Sequence, residues 1–329
     1  MRDVLVQDRT PTAAPPRAEV RRRATAWGSR YGVVLALLLL LVVAAVWAPT
    51  FFRPVTLRNT SRQASIIGIV TVGQFLVLMV RGIDLSVPAV IAFTAVLLAE
   101  RGPGLGQGLL VSAGIVAVVG LLNGYLVVRR GVPAFVATFG MYVTVEGVRL
   151  AYTKGSASGS VPAAVTTLGR STLLGLTYSV WVWLLLLVTT GMFLYRTPTG
   201  RRMVMSGANP EMAALSGIRT ARFVVGAFVA SAALAALSAV FLAGSAGYVD
   251  RFIGQGSDLD SVTAALLGGA RFAGGEGSLA GAAAGCLVLA SLLTVIVLLG
   301  LSPQLQLIAK GAVLLGALAL QASLRPQHA

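Results

Sequence analysis

Long apolar blocks, separated by short polar or glycine-rich connections, make up most of this chain of 329 residues. A helix needs about 20 residues to cross a hydrocarbon core of ~30 Å, and shorter helices suffice where protein surrounds them. The pattern predicts an all-α integral membrane protein with about ten transmembrane helices. The short spans at 85–99 and 259–271 leave counts of eight or nine open. The predicted spans are 31–48, 63–80, 85–99, 109–128, 133–149, 179–195, 222–243, 259–271, 278–298 and 304–321.

The basic residues of the connections indicate the orientation of these spans. With the N-terminus placed inside, 17 of the 26 Lys and Arg residues fall on the cytoplasmic side and 7 on the other side. Cytoplasmic connections carry such an excess, so we expect both termini in the cytoplasm of a bacterial-type cell membrane. The predicted organisation is a flexible basic arm at 1–30, a transmembrane domain at 31–322 and a short tail at 323–329.

The composition excludes several classes of function. Charged residues make up 11% of the chain, against about 25% in soluble domains, which excludes a soluble globular enzyme. The net charge of +15 does not indicate nucleic-acid binding, because nucleic-acid binders concentrate their charge on a wet surface. The expected surroundings are a lipid bilayer.

Residues that carry chemistry are scarce. Cys286 and His328 are single residues of their types, which excludes an intrachain disulfide and argues against a metal site built from His and Cys. Neither Lys154 nor Lys310 lies in the sequence context of a Walker A loop. We therefore expect no metal, no cofactor and no enzymatic activity in this chain, and any ATP chemistry belongs to another subunit.

Two acidic residues within or beside the spans have alternative interpretations. Asp84 and Ser86 are placed to cap a helix whose first turn holds Pro88, or Asp84 is an accessible acid that lines a path. Glu146, near the outer end of the fifth span, forms an ion pair with Arg149 three residues later, or contacts a solute.

The cytoplasmic loop at 196–221 is longer than a connection needs to be. Residues 196–202 predict a turn with basic flanks. Asn209 is a good helix N-cap, Pro210 suits the first helical position, Glu211 complements the helix dipole, and Gly217 can end the helix. The loop predicts a short helix that either docks a cytoplasmic subunit or rests on lipid headgroups.

Glycine and alanine are concentrated in the last third of the chain, around 268–285. Small residues allow helix backbones to approach closely. The run from Gly268 to Gly277 also predicts a break between two helices, which is tolerated at membrane depth where it lines a cavity or a subunit seam.

Four stretches, in order between about 60 and 320, resemble the permease subunit of ribose/xylose/arabinose/galactose-type ABC importers. They are GIDLSV at 82–87, GLLNG at 120–124 followed by VPAFVATFG at 132–140, the glycine-punctuated segment 200–218, and LLGG at 266–269 with GGEGS at 274–278 and Lys310-Gly311. Arg81 and Pro88 stand where this family usually has glycine, and Glu146 stands where Arg is common.

The resemblance implies a fold like that of type II ABC importers, and it implies partners. These are a second permease subunit, identical or different, a cytoplasmic ABC ATPase with tandem domains that binds ATP and Mg²⁺, and an extracytoplasmic sugar-binding protein. The helix at about 209–217 is then the coupling element in the ATPase groove. The residues expected to couple to the ATPase are Gly200, Arg201, Gly207, Asn209, Glu211, Ala213, Ser216 and Gly217.

The function implied is import of a monosaccharide or related polyol. A sugar path should offer hydroxyl, amide and aromatic contacts, and the alternative role for each such residue is a bond to a neighbouring helix. A permease for branched-chain amino acids or nucleosides is the nearest alternative, and a secondary transporter or a membrane enzyme is more distant. Candidate path residues are Gln74, Asp84, Asn123, Thr138, Tyr142, Thr144 and Glu146.

Overall fold

The computed structural model describes residues 16–99, 104–156 and 159–323, and each predicted span contains a helix. Within those ranges, six helices are long and apolar enough to cross a membrane, namely α2, α4, α5, α7, α10 and α12 as bounded below. The helices are α1 (Pro16–Trp47), α2 (Pro54–Met79), α3 (Val87–Leu98), α4 (Leu105–Arg130), α5 (Ala134–Thr153), α6 (Ala163–Arg170), α7 (Tyr178–Arg196), α8 (Pro198–Ala208), α9 (Pro210–Leu215), α10 (Thr220–Ala246), α11 (Ser257–Leu267), α12 (Leu279–Leu298) and α13 (Pro303–Ser323).

Short elements complete the fold outside these helices. A 3-10 helix at Pro49–Phe52 joins α1 to α2. Strand β1 (Gly159–Ser160) pairs antiparallel with β4 (Tyr248–Val249). Strands β2 (Thr172–Leu173) and β3 (Leu176–Thr177) form a hairpin. The first pair ties the connection after α5 to the C-terminal end of α10.

The structure corrects the sequence prediction in three connections. The segment 196–202 is not a turn, because the Thr197 side chain accepts a hydrogen bond from the Gly200 N–H (3.0 Å) and caps α8. The connection between α5 and α7, for which the sequence analysis predicted no helix or strand, contains α6 and the strands β1, β2 and β3. Helix α1 already begins at Pro16, inside the predicted arm. Residues 1–15 of that arm and 324–329 of the tail lie outside the described residues.

Helix α2 is the most buried of the long helices and lies at the centre of the bundle. It packs against α7, α10, α11 and α12. Phe75 of α2 and Phe228 of α10 belong to the same core cluster. A Cβ atom on Gly73 would lie 2.9 Å from Ser231 Cα of α10. Close backbone approach of this kind holds helices together where lipid gives no hydrophobic drive.

The glycine-rich region predicted from the sequence brings α11 and α12 together. A Cβ atom on Gly281 would collide with the Gly268 carbonyl oxygen, and one on Gly285 with the Ala264 carbonyl oxygen. Helix α11 ends at Leu267 and α12 begins at Leu279, so the break predicted between Gly268 and Gly277 is present. Cys286 is buried in the core.

Two non-helical segments enter the helical bundle. The first, 80–86, joins α2 to the short helix α3, and the second, 250–256, precedes the short helix α11. Ser86 bonds with Asn123 inside α4. A Cβ atom on Gly254 would lie 3.1 Å from the Pro88 carbonyl oxygen in the first turn of α3. The two segments therefore approach each other at the first turn of α3.

An ion pair connects helix α13 to helix α11. Lys310 Nζ of α13 lies 2.8 Å from the Asp260 carboxylate of α11, and both side chains are mostly buried. Removing one partner of a buried pair leaves an uncompensated charge, which is more costly than removing both.

We predict that Lys310→Met lowers the free energy of unfolding by about 3 kcal/mol and that Lys310→Met/Asp260→Asn restores part of this loss. Thermal denaturation of the detergent-solubilised chain measures the effect. Lys154→Met, at an exposed position after α5, is the control. Equal stability of Lys310→Met and the wild type would contradict the pairing.

Candidate functional site

The short helix predicted in the 196–221 loop is present as α9. The Asn209 side chain accepts a hydrogen bond from the Met212 N–H at 3.0 Å. Gly217 has a φ of +74° just after the helix, a conformation that glycine adopts without strain. The sequence thus determines both ends of α9 locally, through a side-chain cap and a glycine.

Helix α9 presents apolar side chains on its outer surface. Ala213 is buried and anchors the helix, whereas Met212 and Leu215 are 57% and 82% exposed. Arg201, Glu211 and Ser216 are exposed as well. An exposed apolar surface marks contact with another protein or with a membrane, so both interpretations of this helix stay open here.

The α8–α9 segment is fixed to the end of α2. Arg81 donates through Nε to the Gly207 carbonyl oxygen (2.6 Å) and through Nη2 to the Ala208 carbonyl oxygen (2.7 Å). The Gly275 N–H donates to the Met79 carbonyl oxygen at 3.0 Å. These bonds satisfy carbonyl groups that the ends of α8 and α2 leave open, and they join three segments distant in sequence.

Glycine is required where these segments meet. A Cβ atom on Gly207 would collide with the Met79 carbonyl oxygen, and one on Gly200 with the Phe193 carbonyl oxygen at the α7–α8 corner. Arg81 has a φ of +65°. Glycine adopts this left-handed conformation without strain, whereas Arg carries a local strain there.

The segment 80–86, which we call the α2–α3 connector, is held by polar side chains from three helices. In the amide orientation that satisfies its neighbours, Gln74 donates to the Asp84 carbonyl (3.1 Å) and accepts from the Asp84 N–H (3.2 Å). Asn123 donates to Ser86 Oγ at 3.1 Å. Thr138 donates to the Ile83 carbonyl oxygen at 3.1 Å.

Asp84 is fully buried within this connector. Its Oδ1 accepts from the Ser86 N–H (2.9 Å) and from Ser86 Oγ (2.5 Å). Ser86 occupies the N-cap of α3, and neither side chain accepts from an N–H group of that helix. The predicted cap is therefore wrong in detail, because Asp84 stabilises the turn before the helix. Pro88 lies at the start of α3, as expected.

The candidate path residues divide into three groups. Gln74, Asp84, Asn123 and Thr138 are buried and support the connector. On α5, Thr144 is exposed and bonds only to the Gly140 carbonyl oxygen of its own helix among the described residues. The other two, Tyr142 and Glu146, line a cavity.

This cavity, which we call the α3–α5 cavity, has a volume of about 330 Å³. The predicted ion pair between Glu146 and Arg149 is confirmed, with Arg149 Nε 2.8 Å from Glu146 Oε2. Because α5 continues to Thr153, Glu146 lies farther from the end of the helix than the sequence predicted. The lining residues are Pro88, Ala92, Tyr142, Glu146, Arg149, Leu150, Arg251, Phe252, Ile253 and Gln255.

Sequence reasoning missed several residues of these sites. The apolar pair Met212 and Leu215 and the cavity residues Phe252 and Gln255 carry no motif, and only the fold places them. Arg81 stood out as a departure from glycine, but its two carbonyl partners are not visible in the sequence. Among the described residues, no group of three or more His, Cys, Asp and Glu side chains is arranged to hold a metal ion.

We predict that Gly207→Ala lowers the free energy of unfolding by about 1–3 kcal/mol, because the added methyl group forces α8 away from Met79. Gly114→Ala is the matched control, since nothing lies within 4 Å of the added atom. Thermal denaturation of both variants checks the prediction. A Gly207→Ala protein as stable as the control would contradict the close contact.

Comparison with known proteins places these features in a family. The family model described as "Branched-chain amino acid transport system / permease component" matches residues 56–318. The chain is 31% identical to the ribose import permease protein RbsC of Bacillus subtilis, over 87% of this chain and 90% of that protein. No solved structure matches the chain.

Two further relatives have similar coverage. The chain is 29% identical to the fructose import permease protein FrcC of Rhizobium meliloti, over 89% of this chain and 85% of that protein. It is 30% identical to the autoinducer 2 import system permease protein LsrC of Yersinia pestis, over 89% of this chain and 84% of that protein. The chain is therefore a multi-pass membrane protein that belongs to the family of branched-chain amino acid transport system permease components.

Proposed function

We propose that this chain is the permease subunit of an ABC importer in a bacterial-type cell membrane, and that its solute is a monosaccharide or related polyol. The similarity to ribose, fructose and autoinducer 2 import permeases supports this proposal, because it extends over most of the chain. The solute arrives from an extracytoplasmic binding protein, and a second permease subunit completes the pathway.

The exposed apolar surface of α9 is the observation that carries the coupling role. Met212 and Leu215 project from a helix that Ala213 anchors. Buried apolar anchors at the centre of an interface supply most of its binding energy. In the proposed complex, α9 inserts into a groove of the cytoplasmic ATPase, and that partner binds and hydrolyses ATP with Mg²⁺.

The contacts around Arg81 support a mechanical role for the same segment. A displacement of α8–α9 moves the Gly207 and Ala208 carbonyl groups, to which the Arg81 side chain is bonded. Arg81 is the second residue of the α2–α3 connector, which leads directly into the first turn of α3. Movement at the ATPase surface is thereby transmitted to a helix that lines the α3–α5 cavity.

We predict that Leu215→Asp abolishes association with the ATPase, reducing ATPase recovered with the permease by at least about tenfold, because a charge replaces a buried anchor. Leu174→Asp is the matched control. Leu174 is 84% exposed, close to Leu215 at 82%, and lies in the β2–β3 turn on the predicted outer side. Co-purification and ATP-dependent sugar uptake are the two measurements.

Three outcomes of this experiment are informative. Full ATPase recovery and uptake with Leu215→Asp would contradict the coupling role. Uptake of D-ribose or D-fructose without ATP in vesicles would indicate a secondary transporter. ATP-dependent uptake of isoleucine or a nucleoside in place of any sugar would assign the alternative solute class to the same architecture.

A further inference from the structure

The α3–α5 cavity is formed where a non-helical segment meets two helices. Residues 250–256 bring Arg251, Phe252 and Gln255 against Tyr142 and the ion pair of α5. Tyr142 to Arg149 occupy the middle and outer half of α5 (Ala134–Thr153). The segment thus reaches well inside the bundle, level with the central turns of a membrane-spanning helix.

A non-helical segment at this depth leaves backbone polar groups that must find hydrogen-bond partners. In lipid, every unpaired N–H and C=O group is costly, so non-helical segments occur only where protein covers them or where they line a water-filled cavity. Transporters that place a solute site near the bilayer midplane build it from such interrupted helices. The short helices α3 and α11 both begin beside this cavity.

Arg149 supplies the second, independent observation. The residue is 1% exposed, and its guanidinium bonds with the Glu146 carboxylate through Nε (2.8 Å) and Nη2. Nη1 has no hydrogen-bond partner among the described residues. A buried donor without a partner costs about 1–3 kcal/mol, and Arg149 is one of the residues that line the cavity, so this donor lies next to the site.

The chemistry of the lining selects the ligand class. The Glu146–Arg149 pair is neutral as a unit, yet it offers carboxylate acceptors and guanidinium donors side by side, as vicinal hydroxyl groups require. Gln255 adds an amide, and Tyr142 a hydroxyl group. The ring of Phe252 offers an apolar face for ring C–H groups, with Arg251 positioned over it at 4.6 Å from the ring centroid.

The size of the cavity restricts the ligand further. Its volume of about 330 Å³ lies at the small end of the ~300–1,000 Å³ range of ligand pockets. That volume suits one small ring and its hydroxyl groups. We infer that the α3–α5 cavity is a binding site for a single neutral sugar ring within the translocation pathway, with Arg149 and Glu146 as its central hydrogen-bonding pair.

A row of aromatic rings leads away from this site along α5. The ring centroids of Phe135 and Phe139 are 6.2 Å apart, and those of Phe139 and Tyr142 are also 6.2 Å apart. Phe135 and Phe139 are about half exposed. The row runs from Tyr142, which lines the cavity, toward the predicted cytoplasmic end of α5.

This inference rests on the proposed function, so the test separates the two. The full-length chain in nanodiscs is titrated with D-ribose and D-fructose, and binding is followed by saturation-transfer difference NMR. The same variants, assembled with the ATPase and binding protein, are assayed for ATP-dependent uptake of the two sugars. Gln255→Ala and Phe252→Ala remove lining groups, and Gln107→Ala, at an exposed position of α4, is the control.

We expect Gln255→Ala and Phe252→Ala to weaken sugar binding by about tenfold each, equivalent to one lost hydrogen bond or apolar contact, with the control unchanged. Phe252→Tyr keeps the ring and should retain binding. Arg149→Lys keeps the charge but loses the unpartnered Nη1 group, and should weaken binding more than Phe252→Tyr. Gel filtration verifies that each variant is folded.

Three other outcomes would overturn the cavity site, the proposed function or the neutral ligand class. If the wild type takes up sugar and both lining variants keep wild-type binding and uptake, the cavity site is overturned. The proposed function stays intact in that case. Absence of both sugar binding and sugar uptake in the wild type overturns both. Tighter binding of ribose 5-phosphate than of ribose overturns the neutral ligand class, because it indicates that the positive charge of Arg251 binds an anionic ligand.

Discussion

The arrangement of this protein depends on satisfying backbone polar groups where the chain leaves the helical state inside the bundle. Lipid offers no hydrogen-bond partners, so an interrupted helix requires side chains that replace the missing bonds. Gln74 of α2 and Thr138 of α5 supply them to backbone groups of the α2–α3 connector, and Asn123 of α4 donates to the Ser86 hydroxyl group within it. Because these three helices all bond to one connector, its position is determined by the whole bundle.

The same requirement links the two ends of the molecule. Near its start the connector contains Arg81, which bonds to the end of α8. It finishes at α3, whose first turn lies against the segment 250–256. A connector held at several points transmits a displacement better than a flexible loop does. Gln74, Asn123 and Thr138, which the sequence indicated as path residues, are instead bonded to this connector.

Much of the fold follows from the sequence, because apolar block length, caps and glycines are local signals. Each predicted span contains a helix, and the Asn209 cap of α9 needs only three neighbouring residues. Helix α6 was missed because it is short and lies in a polar region, and α8 because its basic residues masked the Thr197 cap. The roles of Gln74, Asn123 and Thr138 depend on contacts between helices, which no local pattern records.

The Glu146–Arg149 pair shows how two sequence interpretations combine in one structure. Ion pairing and solute contact stood as alternatives. A guanidinium has five N–H groups on three nitrogen atoms, and the carboxylate engages only Nε and Nη2. The ion pair holds Arg149 in a single orientation and neutralises its charge within the bundle. The inferred contact between Nη1 and a neutral ligand requires both conditions. The ion pair is thus what makes a contact with an uncharged solute physically reasonable at this depth.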